Sequence, residues 1–197
     1  MKKIIEQPAQ LQADRGRRHF ITGLAASVSG ALLLPAAPAA IASTMSASRQ
    51  SGRALSFYHT HTGDKLAIDY HDGTAYLPEA MAEINHYMRD FRTEETYPID
   101  AALLDLLHEL KTATGHNGTF EVISGYRSPK TNANLRNKSN GVAKRSLHMQ
   151  GKAIDVRLTG FDTRQLHKAA KKLARGGVGY YKKSNFIHID TGRVRYW

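Results

Sequence analysis

Cysteine is absent from the 197 residues. That excludes disulfides, thiolate metal sites and cysteine nucleophiles, so a transition metal here must be held by histidine, aspartate or glutamate. Acidic residues are scarce, 17 against 28 lysines and arginines, which leaves a formal net charge of +11. A basic body favours anionic partners through long-range attraction: nucleic acid, anionic lipid and acidic wall polymer all fit. Long hydrophobic runs are also missing. The longest weakly apolar stretch, Thr22–Leu34, is shorter than the ~20 residues a membrane helix needs. No internal repeat is visible. What remains is an ordinary globular composition, 41% hydrophobic with ten histidines, at a length that fits one domain plus an N-terminal segment.

That segment has the layout of an export signal: Arg17-Arg18-His19-Phe20-Ile21, then the small-residue apolar run, then Ala40-Ile41-Ala42 before Ser43. Paired arginines beside a phenylalanine resemble a twin-arginine leader, which implies a periplasmic protein exported already folded. The alternatives are an uncleaved membrane anchor or an amphipathic arm. Residues 1–42 are therefore read as a signal segment, 43–54 as a polar, Ser-rich arm without structure of its own, and 55–197 as the folded domain.

Within that domain, Phe57–Thr60 and Leu66–Tyr70 flank Gly63-Asp64 and predict a hairpin. Tyr76-Leu77 suggests a further short strand. Met81, Ile84, Met88 and Phe91 recur at helical spacing after Pro78, and Leu103, Leu107 and Leu110 do so over Asp100–Thr114, before Gly115. Strands are expected at Thr119–Ser124, Ala153–Leu158, Gly179–Tyr181 and Phe186–Asp190, a short helix and loop over 130–147, and a basic helix over Thr163–Arg175. Because strands and helices do not alternate strictly, the expected fold class is α+β, a small antiparallel sheet with helices packed on one side.

The chemistry concentrates in Ser146-Leu-His148-Met-Gln-Gly151-Lys-Ala153-Ile-Asp155, with Phe186-Ile-His188-Ile-Asp190 farther on. Two imidazoles and one carboxylate from separate places suit catalytic zinc, which takes three N/O ligands and leaves one position open. The gap between His148 and Asp155 is too long for a helical pair. It suits a loop, a turn at Gly151 and a returning strand. Asp155 would otherwise be an acid in an apolar strand, where a buried carboxylate needs a partner. Taken singly, each has an ordinary reading: a loop histidine, a strand-end acid, a hydrogen-bonded core histidine.

At these residues the sequence resembles the zinc peptidase superfamily that groups lysostaphin-type enzymes, D-Ala-D-Ala peptidases and hedgehog domains. Its motif Ser-x-His-x-x-Gly-x-Ala-x-Asp is matched at every fixed position from Ser146 to Asp155. Ser124-Gly-Tyr-Arg-Ser-Pro129, Gly141-Val-Ala-Lys144, Gly176-Gly-Val-Gly-Tyr-Tyr181, Phe186-Ile-His-Ile-Asp-Thr-Gly192 and Arg195-Tyr-Trp197 look like the murein endopeptidases of the M15 branch. The resemblance spans roughly Leu55 to Trp197. It implies a hedgehog or D-Ala-D-Ala peptidase-like fold and zinc held by His148, Asp155 and His188. The implied reaction is hydrolysis of peptidoglycan stem-peptide cross-links, between meso-diaminopimelate residues.

Arg127 is then the candidate cation for the oxyanion, and Ser124, Tyr126 and Ser146 are candidates for substrate contact. Related enzymes carry a base shortly before the last ligand, where this chain has Asn185 and Phe186. Asp190, two residues after His188 and so on the same strand face, is the leading replacement; the alternative is that it orients a ligand. His59-Thr-His61 reads as a surface feature of the hairpin. Lys130, Arg136, Lys138, Lys144 and Arg145 read as a solvated basic loop, or as an attractor of substrate carboxylates. The competing functions are a D-alanyl carboxypeptidase and a non-catalytic, zinc-stabilised wall-binding module. A nucleic-acid binder is the weakest reading and no nucleic-acid partner is expected, since the export signal and the lack of a basic-aromatic strand pattern both argue against it. A monomer is expected.

Overall fold

The computed structural model describes residues 51–139 and 141–197. The proposed signal segment and most of the proposed arm lie outside the described residues. Order begins slightly earlier than expected, because strand β1 spans Arg53–His59 and pairs antiparallel with β2, Lys65–His71. Their alternation puts Leu55 and Phe57 inside, each 1% exposed.

Helix α1, Pro78–Tyr87, has proline in its first turn, where the missing N–H costs nothing. It ends before Phe91, which the helical spacing had included. The chain turns there instead: Asp90 N–H donates to the Glu95 carbonyl, and Phe91 stacks on the His61 ring at 4.5 Å. Helix α2, Ala101–Thr114, is capped by the Asp100 carboxylate on Ala102 N–H and stopped by Gly115 at φ 63°. After β3, Phe120–Ser124, come α3, Pro129–Lys138, and β4, Ala153–Leu158. Helix α4, Thr163–Leu173, β5, Gly177–Tyr181, β6, Phe186–Asp190, and β7, Arg195–Tyr196, complete the chain.

The seven strands form one sheet in the order β2-β1-β3-β4-β6-β5-β7. The α+β class holds, but the sheet is neither small nor purely antiparallel: β1 pairs with β3, and β5 with β7, in parallel. The physical reason is the connection. Chain between β1 and β3 passes through β2, α1 and α2, long enough to return β3 in the same direction. Period-two patterning marks a strand without giving its direction.

Along β4 and β6, Ile154, Val156, Leu158, Ile187 and Ile189 are at most 2% exposed and belong to the core with Leu107 and Leu110 of α2 and Leu166 of α4. Burying each such side chain contributes about 1.5–3 kcal/mol. Asp155 and His188 alternate with these residues and therefore occupy the other face of the sheet. A register shift between Val122 and Ser124 breaks the β3–β4 ladder. Ser124 then pairs with Asp155 and joins its face, whereas simple alternation with Phe120 and Val122 would have put it in the core.

A histidine–aspartate centre in a cationic cleft

The Ser146–Asp155 segment folds as a one-turn 3₁₀ helix, Leu147–Gln150, followed by a reversal into β4. Gly151 makes the reversal at φ 63°, and a Cβ there would lie 2.0 Å from the Pro98 carbonyl oxygen, so no other residue fits. Lys152 N–H returns to the Leu147 carbonyl at 3.1 Å and closes the turn. His148 is thereby held over β4, while Asp155 faces His188 directly across the β4–β6 pair.

His148 Nε2, Asp155 Oδ1 and His188 Nδ1 converge, with separations of 3.2 Å between the imidazole nitrogens, 2.9 Å from His188 to Asp155 and 3.3 Å from His148 to Asp155. His148 Nδ1 is 2.8 Å from the Gly125 carbonyl, which can only accept, so Nδ1 carries the proton and Nε2 presents its lone pair inward. His188 lies between two carboxylates, Nε2 2.8 Å from Asp190 Oδ2 and Nδ1 2.9 Å from Asp155 Oδ1, so with Nε2 donating to Asp190 the inward Nδ1 carries either a proton shared with Asp155 or a lone pair open to a cation. With His188 deprotonated at Nδ1, two lone pairs and a carboxylate oxygen point at one place. That arrangement is repulsive unless a cation or a proton sits between them.

The ionisation preferences agree with this picture. Burial lowers His148 from its ordinary value, against the pull of Asp155. Burial also opposes charge on His188, but hydrogen bonds to Asp155 and Asp190 outweigh it and push the imidazole up to about 9. Burial disfavours the Asp155 anion, and the two histidines more than reverse it, holding the carboxyl far below its usual range. Two carboxylates around His188 therefore stabilise positive charge at the place where a metal would supply it. The donor set fits zinc: the edges of a tetrahedral shell with bonds of about 2.0–2.2 Å measure about 3.3–3.6 Å, close to the 3.2 and 3.3 Å spacings from His148, while the 2.9 Å hydrogen bond between His188 and Asp155 would lengthen on binding. Each imidazole is also backed by a carbonyl or carboxylate, as metal-bound histidines usually are.

Asp190 lies behind His188, 0% exposed. Its oxygens accept from His188 Nε2, from both terminal nitrogens of Arg195 at 3.0 and 2.7 Å, and from the N–H groups of Gly177 and Gly192 at 3.1 and 2.9 Å. Burial works against this anion, and the donors overcome it, keeping the carboxyl well below its ordinary value.

A cleft of about 460 Å³ opens over the three converging residues, with Arg127, Arg145, Ser146, Tyr181, Arg195 and Trp197 among its walls. Arg127 Nη2 sits 3.5 Å from Asp155 Oδ2 and 3.3 Å from Ser124 Oγ, and Nε has no partner among the described residues. Burial lowers this guanidinium from its ordinary value, with Asp155 opposing.

The residues singled out in the sequence divide into two groups. His148, Asp155, His188, Arg127 and Ser146 line the cleft. Ser124 supports Arg127 from behind, and Tyr126 stacks on Tyr97 at 5.1 Å, outside the cleft walls. His59 is buried at 1% exposure and accepts from His61 N–H and Thr62 N–H, so only His61 of that pair is a surface residue. Arg195 and Trp197, which the motifs leave without a role, also line the cleft.

A family model described as peptidoglycan L,D-endopeptidase MepK, of M15-type peptidases, matches residues 47–197. The peptidoglycan L,D-endopeptidase MepK of Escherichia coli (strain K12) is 40% identical over 184 residues, which cover 93% of this chain and 98% of the relative. The probable peptidoglycan L,D-endopeptidase MepK of Haemophilus influenzae is 38% identical over 187 residues, 93% of this chain and 96% of the relative. The chain belongs to the M15-type peptidase family of the MepK endopeptidases.

Proposed function

We propose that this protein is a peptidoglycan hydrolase, a zinc-dependent endopeptidase that cuts stem-peptide cross-links between meso-diaminopimelate residues. The observation that carries the zinc assignment is the inward turn of His148 Nε2 and His188 Nδ1 onto Asp155 Oδ1, fixed by the Gly125 carbonyl and Asp190. Zinc held there supplies a water made acidic near neutrality and a Lewis acid for the scissile carbonyl.

The remaining roles fall to the protein's own groups. Arg127 lines the cleft beside Asp155, where its guanidinium is suited to hold the carbonyl oxygen as negative charge develops. Asp190 is assigned the orienting role rather than the basic one, because its oxygens are taken up by His188, Arg195 and backbone N–H groups. Ser146 offers a hydroxyl at the cleft wall. Arg127, Arg145 and Arg195 outnumber the one acid among the lining residues, in keeping with a substrate rich in free carboxylates.

Such a substrate lies outside the cytoplasm, which supports periplasmic residence and export through the leader with Arg17 and Arg18. Among the described residues, no helix is long and apolar enough to cross a membrane.

Digestion of purified cross-linked muropeptide dimers, followed by mass spectrometry, tests the reading. Zinc-loaded protein is expected to convert dimer to monomer, and chelator-treated protein to leave it intact. Loss of a single alanine would mean a carboxypeptidase, and sedimentation with sacculi without cleavage would mean a binding module.

A further inference from the structure

The strand order places unlike walls on the two sides of the converging ligands. Arg127 follows β3, on one side of β4 and β6; Tyr181 and Trp197 come from the β5–β7 edge, on the other, together with Arg195, whose charge is paired with Asp190. Trp197 is the sole tryptophan in the chain and remains 49% exposed. Its ring centroid lies 5.2 Å from that of His188.

The residue is nonetheless anchored by its backbone and its indole N–H, and it lines the cleft. Trp197 N–H donates to the Val178 carbonyl, and the Trp197 carbonyl accepts from Tyr180 N–H. Nε1 donates to the Tyr181 hydroxyl at 3.2 Å, and the Arg195 guanidinium lies 5.0 Å from the ring centre. Beneath it is Gly179, paired directly with His188; a Cβ there would come within 2.5 Å of the indole. Only glycine lets the ring lie against the strand. A large aromatic that is fixed in place yet left half exposed in a cleft has little ordering entropy left to lose when something covers it. Tyr181 and Phe186, stacked at 4.6 Å, extend the same apolar wall.

We infer that the Trp197 indole is a specificity-determining platform that receives the methylene chain of a diaminopimelate residue next to the scissile bond. This rests on the proposed endopeptidase reading. Diaminopimelate suits the cleft chemically, since it is an aliphatic chain with an amino-acid group at each end: apolar length for the indole wall, and carboxylate charge for the guanidinium wall opposite.

The unique tryptophan makes the inference directly measurable in the zinc-loaded protein. Titration with a disaccharide-tripeptide ending in diaminopimelate, a product that is not cut further, is expected to give a saturable change in tryptophan fluorescence. A disaccharide-dipeptide lacking that residue is expected to give none. Trp197→Ala is expected to raise KM for cross-linked dimers about tenfold, the scale set by one apolar contact in a pocket, with kcat changed far less and zinc stoichiometry retained. Trp197→Phe should recover most of the loss.

An enzyme that cleaves dimers while its fluorescence ignores the tripeptide overturns the inference, as does an equal response to the dipeptide, which would place sugar on the indole. Loss of zinc from Trp197→Ala overturns it too, by making the residue a support for His188. Failure of the wild-type protein to cleave dimers at all would instead remove the endopeptidase reading, and the dimer digest reports that separately from the fluorescence.

Discussion

Asp155 and His188 stand directly opposite one another in the antiparallel register of β4 and β6, and His188 Nδ1 lies 2.9 Å from Asp155 Oδ1. Adjacent strands thus supply two of the three converging donors, and one turn of 3₁₀ helix supplies the third. Because these donors are brought together only in the folded chain, zinc binding should stabilise the fold as well as enable cleavage. Free zinc at a hundred times its dissociation constant is expected to add about 2.7 kcal/mol, read as a higher melting temperature after reconstitution of chelator-treated protein. His148→Ala, Asp155→Ala and His188→Ala should each abolish dimer cleavage and lose both zinc and the zinc-dependent rise in melting temperature. Cleavage retained in any of them would remove the metal assignment.

Arg127 touches this centre through Asp155 Oδ2 but is not one of the converging donors. Arg127→Ala is therefore expected to retain zinc while kcat falls by about 10²–10³, the usual cost of losing one oxyanion donor. Arg127→Lys should restore charge without the planar fork and recover only part of the rate. Measured zinc content alongside steady-state kinetics separates this from loss of the metal site.

Asp190 and Arg195 form a chain behind His188, with Arg195 gripping both carboxylate oxygens. Asp190→Asn sets an amide N–H2 against existing donors, so the His188 ring loses its anchor. Zinc affinity is expected to fall about 10- to 100-fold, measured by competition with a chromophoric chelator, and Arg195→Gln should shift it in the same direction by less. A drop in kcat with zinc affinity unmoved would instead return Asp190 to the role of base.

How much of this was legible in the chain depends on whether the cause was local. The motif from Ser146 to Asp155 contains its own geometry: a histidine on a turn, a glycine suited to φ 63°, and an acid alternating with apolar strand residues. Ser124 was not legible in the same way, because the register shift that turns it toward Asp155 depends on how β3 meets β4. Nor was the sheet's mixed direction, since alternation looks the same in parallel and antiparallel strands. Gly177 reads as the stop after a basic helix, yet in the fold it leaves room for the Arg195 guanidinium, which a Cβ there would meet at 2.4 Å. That requirement comes from β7, a strand of two residues, too short for any period to mark.

The last prediction concerns the loop that carries Arg127. Asp90, 1% exposed, accepts from Ser128 N–H at 2.9 Å and Arg92 N–H at 3.1 Å, while the Met88 carbonyl accepts from Tyr126 N–H at 2.8 Å. These bonds clamp the chain on both sides of Arg127. Burial works to raise the Asp90 carboxyl, but hydrogen bonds from Thr131, Ser128 and Arg92 outweigh it and leave it below its ordinary value of 3.8. A carboxyl depressed on folding contributes stability that is fully present above its unfolded value and is lost as pH falls through the folded one. Asp90→Asn should therefore cost stability at neutral pH, about 1–3 kcal/mol for hydrogen bonds to a charged group. The gap from wild type should narrow as pH drops below about 4. Denaturant melts of both proteins across that range would test this, and a gap that widened in acid would show that the Asp90 anion does not hold the loop.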